Sequence, residues 1–372
     1  MNKKVLRQAI FDSDFFGHGG EKRTAQISDL LSANNIEYVL VPGLVKQKIS
    51  LVLLKNLVLS ALINIQIIFK LRSIGSFMKM SKRIYHSALI INSLEKLSNF
   101  DSTIFLWEGT KPENYIYPAY FKRLKFKVIG LPHNLESLVP GQLSEITNKK
   151  SPSWLLEEIE MLKLCDIVFT ISREENLLLK QFGIDAQYLP YFPAGELYNR
   201  LLEVRSNRIG KKAIKTVKKL LMLGSIINVP TRLGMINRIE WFINSKYENY
   251  KLGIAGYSTD ELKDIITDSD NIILYGSLSN NQLYEIFSEV DAVLIHQVAS
   301  SGALTRIPEI LIAGIPVLIN SESARSNYNI DGLNIYENDI ELNEYLISEK
   351  VFCVPPLPPI PDSFLKIFIN LI

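Results

Sequence analysis

Between Asp291 and Asn320 the chain reads DAVLIHQVASSGALTRIPEILIAGIPVLIN. Ser300, Ser301 and Gly302 carry little side-chain bulk. A diphosphate could therefore approach the backbone N–H groups that a helix starting near Arg306 leaves unpaired, with the helix dipole adding attraction. The backbone from Ser301 through Gly302, Ala303 and Leu304 to Thr305 is the expected phosphate cradle. Thr305 is placed to cap the helix, and Pro308 is tolerable because it falls in the first turn. Arg306 and Glu309 stand three apart and so share a helical face, giving a cation for phosphate and a carboxylate for sugar hydroxyls. Gly314 and Pro316 fit a helix stop and a strand entry. The plain alternative is a solvated Arg–Glu ion pair above an ordinary turn.

Other candidates lie in the first half. Gly19 and Gly20 follow the first predicted strand and could let a ligand's phosphates approach the backbone, although the GxGxxG spacing of a dinucleotide fingerprint is not met. His133 and Asn134 follow a strand end at Pro132, where open α/β sheets place ligands, and His133 could hydrogen-bond a sugar or assist proton transfer. His18, beside the glycine pair, is a second histidine candidate in the first domain. Glu174 and Glu175 after Ser172 read as helix-start acids. Asp12-Ser13-Asp14 superficially resembles a metal-binding acid pair, but at the end of the very first strand a turn or cap explains it. No metal is assigned. Cys165 and Cys353 lie far apart without ligand spacing, which points to a reduced, cytoplasmic protein.

Positioning these residues requires sheets. Apolar runs of strand length alternate with helical patterns in both halves: Val5 to Phe11, Tyr38 to Val41, Thr103 to Trp107, Lys127 to Leu131 and Ile167 to Ile171, then Lys219 to Leu223, Lys251 to Ala255, Asn271 to Leu274, Ala292 to Ile295 and Val317 to Ile319. Such alternation predicts α/β architecture with parallel sheets. At 372 residues the chain exceeds what one core supports, so two domains facing a cleft are expected. The expected division is 1–193, 194–350 and a Pro-rich tail, 351–372, ending in an apolar helix that packs back on the first domain. A net charge of +2 argues against a broadly basic nucleic-acid binder.

Several segments, in this order, resemble the two-domain GT-B glycosyltransferases, in particular the retaining glycosyltransferase family 4: GHGGEKRTAQISDLL (17–31), PHNLES (132–137), CDIVFTISREENLLLKQFGIDAQYLPYFP (165–193), LLMLGS (220–225), NIILYGSLSNNQLYEIFSEVDAVLI (271–295) and GALTRIPEILIAGIPVLI (302–319). The resemblance covers roughly residues 1 to 345. It implies two Rossmann-like domains and transfer of a sugar from a nucleoside diphosphate sugar to a glycan or lipid-linked acceptor, with no cofactor and no obligatory metal. By position, Glu309 would hold the ribose, and Arg306 and Arg232 of VPTRLG would grip the diphosphate, stabilising the leaving group. The family pattern often places a first Glu eight positions earlier, and here Ser301 stands there, so recognition of the donor sugar must differ. A GT-B sugar-nucleotide epimerase and a non-catalytic scaffold are the alternatives.

From Tyr38 to Leu94 there is no Asp or Glu. Lys46, Lys48, Lys55, Lys70, Arg72, Lys79, Lys82 and Arg83 flank or interrupt the apolar run Leu51 to Phe69. Lys55, Asn56, Asn64 and Gln66 disfavour spanning, whereas apolar bulk with a basic border suits a helix lying on an anionic inner-leaflet surface through residues 46–83. The rival is a buried helix with basic ends. Surface docking would suit a lipid-linked acceptor in bacterial surface polysaccharide assembly.

Overall fold

The computed structural model describes residues 4–42, 50–71, 77–97, 103–144, 146–210, 217–245, 247–266, 269–348 and 352–372. Lys46, Lys48 and Arg72 of the basic stretch lie outside the described residues. The chain divides into two compact units: Met1–Ser13, Arg23–Pro190 and Pro361–Ile372 form the first, and Asp14–Lys22 with Tyr191–Ile360 form the second.

The first unit runs β1 (Lys4–Gln8), most of α1 (Gly19–Ala33), β2 (Glu37–Leu40), α2 (Leu51–Leu71), α3 (Phe77–Glu95), β3 (Ile104–Trp107), α4 (Ile116–Arg123), β4 (Lys127–Gly130), α5 (Leu155–Leu162), β5 (Ile167–Thr170), α6 (Arg173–Gln181) and β6 (Ala186–Tyr188). The second contains α7 (Gly195–Gly210), β7 (Lys218–Leu223), α8 (Val229–Ser245), β8 (Tyr250–Ala255), β9 (Ile272–Gly276), α9 (Asn280–Glu289), β10 (Ala292–Ile295), α10 (Arg306–Ile312), β11 (Val317–Asn320), α11 (Ser321–Ala324), β12 (Leu333–Tyr336) and α12 (Asp339–Ile347). The last helix, α13 (Asp362–Leu371), belongs to the first unit again.

Each unit is built on a six-stranded sheet, ordered β2-β1-β3-β4-β5-β6 in the first and β12-β11-β10-β7-β8-β9 in the second. The named pairings are parallel throughout. Because strand side chains alternate in direction, successive residues feed opposite cores. Phe105 and Trp107 of β3 enter one cluster and Leu106 the other. In the second unit Leu221, Val293 and Ile319 lie on one face, and Leu220, Leu294 and Leu318 on the opposite one. The second sheet reverses its winding between β7 and β10, the first between β1 and β3. Open α/β sheets present ligands at such switch points, beyond the carboxyl ends of the strands.

Helix α2 buries Leu53, Ile63, Ile67 and Leu71 but places polar residues among them and leaves other apolar residues outside. Asn56, Ser60 and Asn64 are buried, while Leu51 is 85 %, Val58 65 % and Phe69 78 % exposed. The inward donors find partners, Asn56 Nδ2 donating to Glu95 Oε2 at 2.9 Å and Ser60 Oγ to the Ile84 carbonyl at 2.6 Å, while Asn56 Oδ1 is buried without one among the described residues. Among the described residues α2 is the one helix long and apolar enough to cross a membrane by length and composition.

Candidate functional site

At the carboxyl edge of the second sheet, β7 ends at Leu223 and the chain turns through Gly224 toward α8. The φ of Gly224 is 156°, and a Cβ there would fall 2.2 Å from Arg306 Nη1, so a larger residue would displace the guanidinium. Arg306 opens α10 and donates from Nη1 to the Leu223 carbonyl at 2.6 Å. Its Nε is buried and without a hydrogen-bond partner among the described residues. Burial pushes its pKa down to about 10, against the opposing pull of Glu309. A half-buried cation so placed gains from an anion brought beside it.

The loop from Ser301 to Thr305 lies between β10 and α10. Gly302, at φ 75°, is buried and its carbonyl accepts from Arg325 Nη2 at 2.8 Å. Leu304 packs against the unit's core, while Ser301, Ala303 and Thr305 are half-buried. The expected Thr305 cap is not formed. Its backbone is already helical (φ −60°, ψ −29°) and no side-chain cap bond is made; capping needs an extended residue whose oxygen swings back onto the second or third amide. Arg232 is exposed in the first turn of α8. Asn228 starts that helix, its carbonyl accepting from Arg232 N at 2.9 Å and its Oδ1 from Thr231 N at 3.4 Å. Gln297, after β10, ties the rim together: Nε2 donates to Thr231 Oγ1 at 2.5 Å, and its amide donates to Asn320 Oδ1 at 3.2 Å.

Glu309 is buried and holds two partners that sequence spacing does not reveal. Lys22 Nζ donates to its Oε2 and the Tyr191 hydroxyl to its Oε1, each at 2.7 Å. Arg306 and Glu309 thus follow one another on α10 but engage different groups. Gly19 and Gly20 open α1 and group with this second unit. Thr305 Oγ1 lies 3.1 Å from where a Gly19 Cβ would stand. His18, expected in the first domain, also falls in the second unit and caps α1: Nδ1 accepts from Gly20 N at 3.1 Å, and its own amide donates to Glu21 Oε2 at 2.8 Å.

His133 and Asn134 are in the first unit, beyond the carboxyl end of β4. His133 Nε2 stands 3.5 Å from Glu108 Oε2, and its Nδ1 is buried with no partner among the described residues. Glu108, at the end of β3, is fully enclosed; it also bonds Arg7 Nε and accepts from Thr24 Oγ1 at 3.0 Å. Burial would raise its pKa, but the Arg7 charge and the hydrogen bonds from His133 and Arg7 outweigh this and hold it at about 2. A fixed carboxylate therefore orients the His133 ring at the first sheet's switch point. The following turn is clamped by acids: Leu135 N donates to Glu175 Oε1 at 3.0 Å, and the amides of Glu136 and Ser137 donate to Glu158, each at 2.9 Å. Glu175, read as a helix-start acid, has this additional role. Asn134 is half-buried.

Asp14 Oδ1 accepts from Phe16 N at 2.8 Å, closing a turn at the Asp12-Ser13-Asp14 segment. No group of three or more His, Cys, Asp or Glu among the described residues is arranged to hold a metal ion.

No family model matches the chain, and no curated protein matches it. Solved structures do. Sucrose-phosphate synthase from Thermosynechococcus elongatus superposes with a TM-score of 0.65 at 10 % identity, covering 99 % of this chain and 98 % of that one. Anabaena HepE, solved in complex with UDP and glucose, gives 0.57 at 10 % identity, covering 99 % and 95 %. A Listeria monocytogenes protein ascribed UDP-N-acetylglucosamine 2-epimerase activity gives 0.50 at 13 % identity over 99 % and 95 %. Two all-parallel six-stranded units with these neighbours give the chain the GT-B fold.

Proposed function

We propose that the chain is a glycosyltransferase that moves a sugar from a nucleoside diphosphate sugar onto a glycan or lipid-linked acceptor, with retention of anomeric configuration and without an obligatory metal. The observation that carries this reading is Arg306: a half-buried guanidinium with an enclosed, unpartnered Nε, anchored to the Leu223 carbonyl at the switch point between β7 and β10. That is where a diphosphate would gather negative charge as the glycosidic bond breaks, and a preorganised cation there lowers the barrier. Arg232 and the loop amides from Ser301 to Thr305 would share the phosphates. Each Glu309 oxygen has a lone pair beyond those used by Lys22 and Tyr191, so the carboxylate can still accept from a ribose hydroxyl. Ser301 offers a neutral hydroxyl to the donor sugar. His133, oriented by Glu108, would work beside the reacting sugar.

A similarity to a structure solved with UDP and glucose supports a nucleotide-sugar donor. The epimerase reading draws on the Listeria neighbour and differs in needing no acceptor. Placement on the cytoplasmic face of a membrane, in surface polysaccharide assembly, rests on the outward apolar face of α2.

Incubating the protein with a panel of nucleotide sugars tests the central claim. Release of nucleoside diphosphate is expected with at least one donor, and Arg306→Gln should lower kcat/KM for it by roughly 100-fold while Tm stays near that of the parent. An Arg306→Gln protein as active as the parent would refute the assignment. Conversion of a donor to its epimer without an acceptor would select the epimerase.

A further inference from the structure

Helix α3 carries Lys79, Lys82, Arg83 and His86 at intervals of three, one and three, which places them on one helical face. They line a cavity of 370 Å³ within the first unit, together with Asn64 and Asn148. Like charges at such spacing oppose one another and weaken a helix. Among the described lining residues Glu113 is the sole acid. None of Lys82, Arg83 and His86 makes an ion pair among the described residues.

The cavity wall is built rather than incidental. Arg83 Nη2 donates to Asn64 Oδ1 at 3.0 Å. Asn64 is 2 % exposed and is itself fixed, its Nδ2 donating to the Ser60 carbonyl at 2.9 Å and to Ser87 Oγ at 3.2 Å. One arm of the guanidinium is thereby held while its remaining N–H groups are left for a ligand. Lys79 Nζ donates to Asn148 Oδ1 across the cavity. The buried polar residues of α2 thus serve a second purpose beyond satisfying one another: they set the orientation of Arg83.

We infer that this cavity binds a phosphate group. Three cations on one wall exceed what a single carboxylate would neutralise, whereas a phosphate offers two or more charged oxygens to separate donors at once. The volume admits the phosphate with a short polyol attached. If the transferase reading holds, the phosphate belongs to the acceptor; the binding site itself stands on the cavity alone. The same chemistry could arrive as a lipid headgroup or as a soluble phosphorylated glycan.

The test uses sn-glycerol 3-phosphate as probe, with glycerol and sodium chloride at matched ionic strength as control. Saturable binding to the full chain is expected by calorimetry, with Kd rising roughly tenfold or more in Lys82→Glu, an exposed position whose change leaves packing intact, and also in Arg83→Gln. Absence of binding to the parent, or equal binding by Lys82→Glu, would overturn the site. Sedimentation with vesicles of phosphatidylcholine, with and without phosphatidic acid, then separates the sources. Capture that needs phosphatidic acid and is lost in Lys82→Glu supports a headgroup, and glycerol phosphate binding without capture supports a soluble glycan. UDP binding is measured on the same samples. A chain that binds glycerol phosphate but no nucleoside diphosphate keeps this site while removing the transferase reading, and the converse result removes this site alone.

Discussion

Arg306 shows how a side chain becomes committed before any ligand arrives. Its Nη1 is spent on the Leu223 carbonyl, which fixes the guanidinium plane and leaves Nε enclosed. Nearby, His296 follows β10 and places Nδ1 2.9 Å from the Tyr336 hydroxyl. Burial lowers its pKa to about 4, the Arg238 charge adding and Asp339 opposing. Its unfolded value is near 6.5, so the unfolded chain takes up a proton that the folded chain resists. This contribution to stability is complete above pH ~6.5 and is lost as pH falls toward about 4; after allowing for solvent screening it amounts to about 1–2 kcal/mol. His296→Gln should flatten the fall of Tm across that window relative to the parent, and an unchanged slope would show that His296 does not titrate in this way. The candidate positions 301–306 were readable because small residues, a cation and a helix start are local signals. Lys22, Tyr191 and Glu108 were not, since the partners that give them meaning lie 287, 118 and 101 residues away in sequence.

At the scale of elements, most strands announce themselves because both faces are buried: β5, β10 and β11 are buried at every residue and read as unbroken apolar runs. The exceptions are β6 and β12, AQY and LNIY, which end their sheets and have no such run. Composition also marks α2 as unusual but does not assign its faces. Asn56 and Asn64, which in sequence argue against a membrane span, turn inward onto α3 and leave Leu51, Leu54, Val58, Leu62 and Phe69 outside. If that stripe rests on a lipid surface, a charge in its middle should abolish attachment without disturbing the packing of α2 on α3. Val58→Asp and Leu62→Asp are expected to reduce sedimentation with anionic vesicles at least tenfold while far-UV circular dichroism and Tm stay close to the parent. Undiminished sedimentation would remove α2 from the contact.

For the molecule as a whole, chain order and unit membership diverge. After completing the second unit the chain contributes α13 to the first, where Phe368 is fully buried against Phe169, their ring centroids 5.2 Å apart, and Ile372 joins the same cluster. Lys127 Nζ donates to the Leu371 carbonyl at 2.6 Å, fastening the end of the helix to β4. The apolar spacing of Phe364 to Ile372 made a helix legible, but which sheet face needs covering depends on a strand order that no local pattern encodes. One face of the first sheet therefore relies on the last twelve residues. Phe368→Ala should cost about 3–5 kcal/mol, a large share of a domain's stability of about 5–15 kcal/mol. The loss should be confined to the first unit. Hydrogen exchange read by mass spectrometry is expected to show faster opening of peptides from β4 and β5, with peptides from β10 and β11 exchanging as in the parent. Equal acceleration in both sets would mean that the two units unfold as one, and no acceleration in either would mean that α13 is dispensable to the sheet it covers.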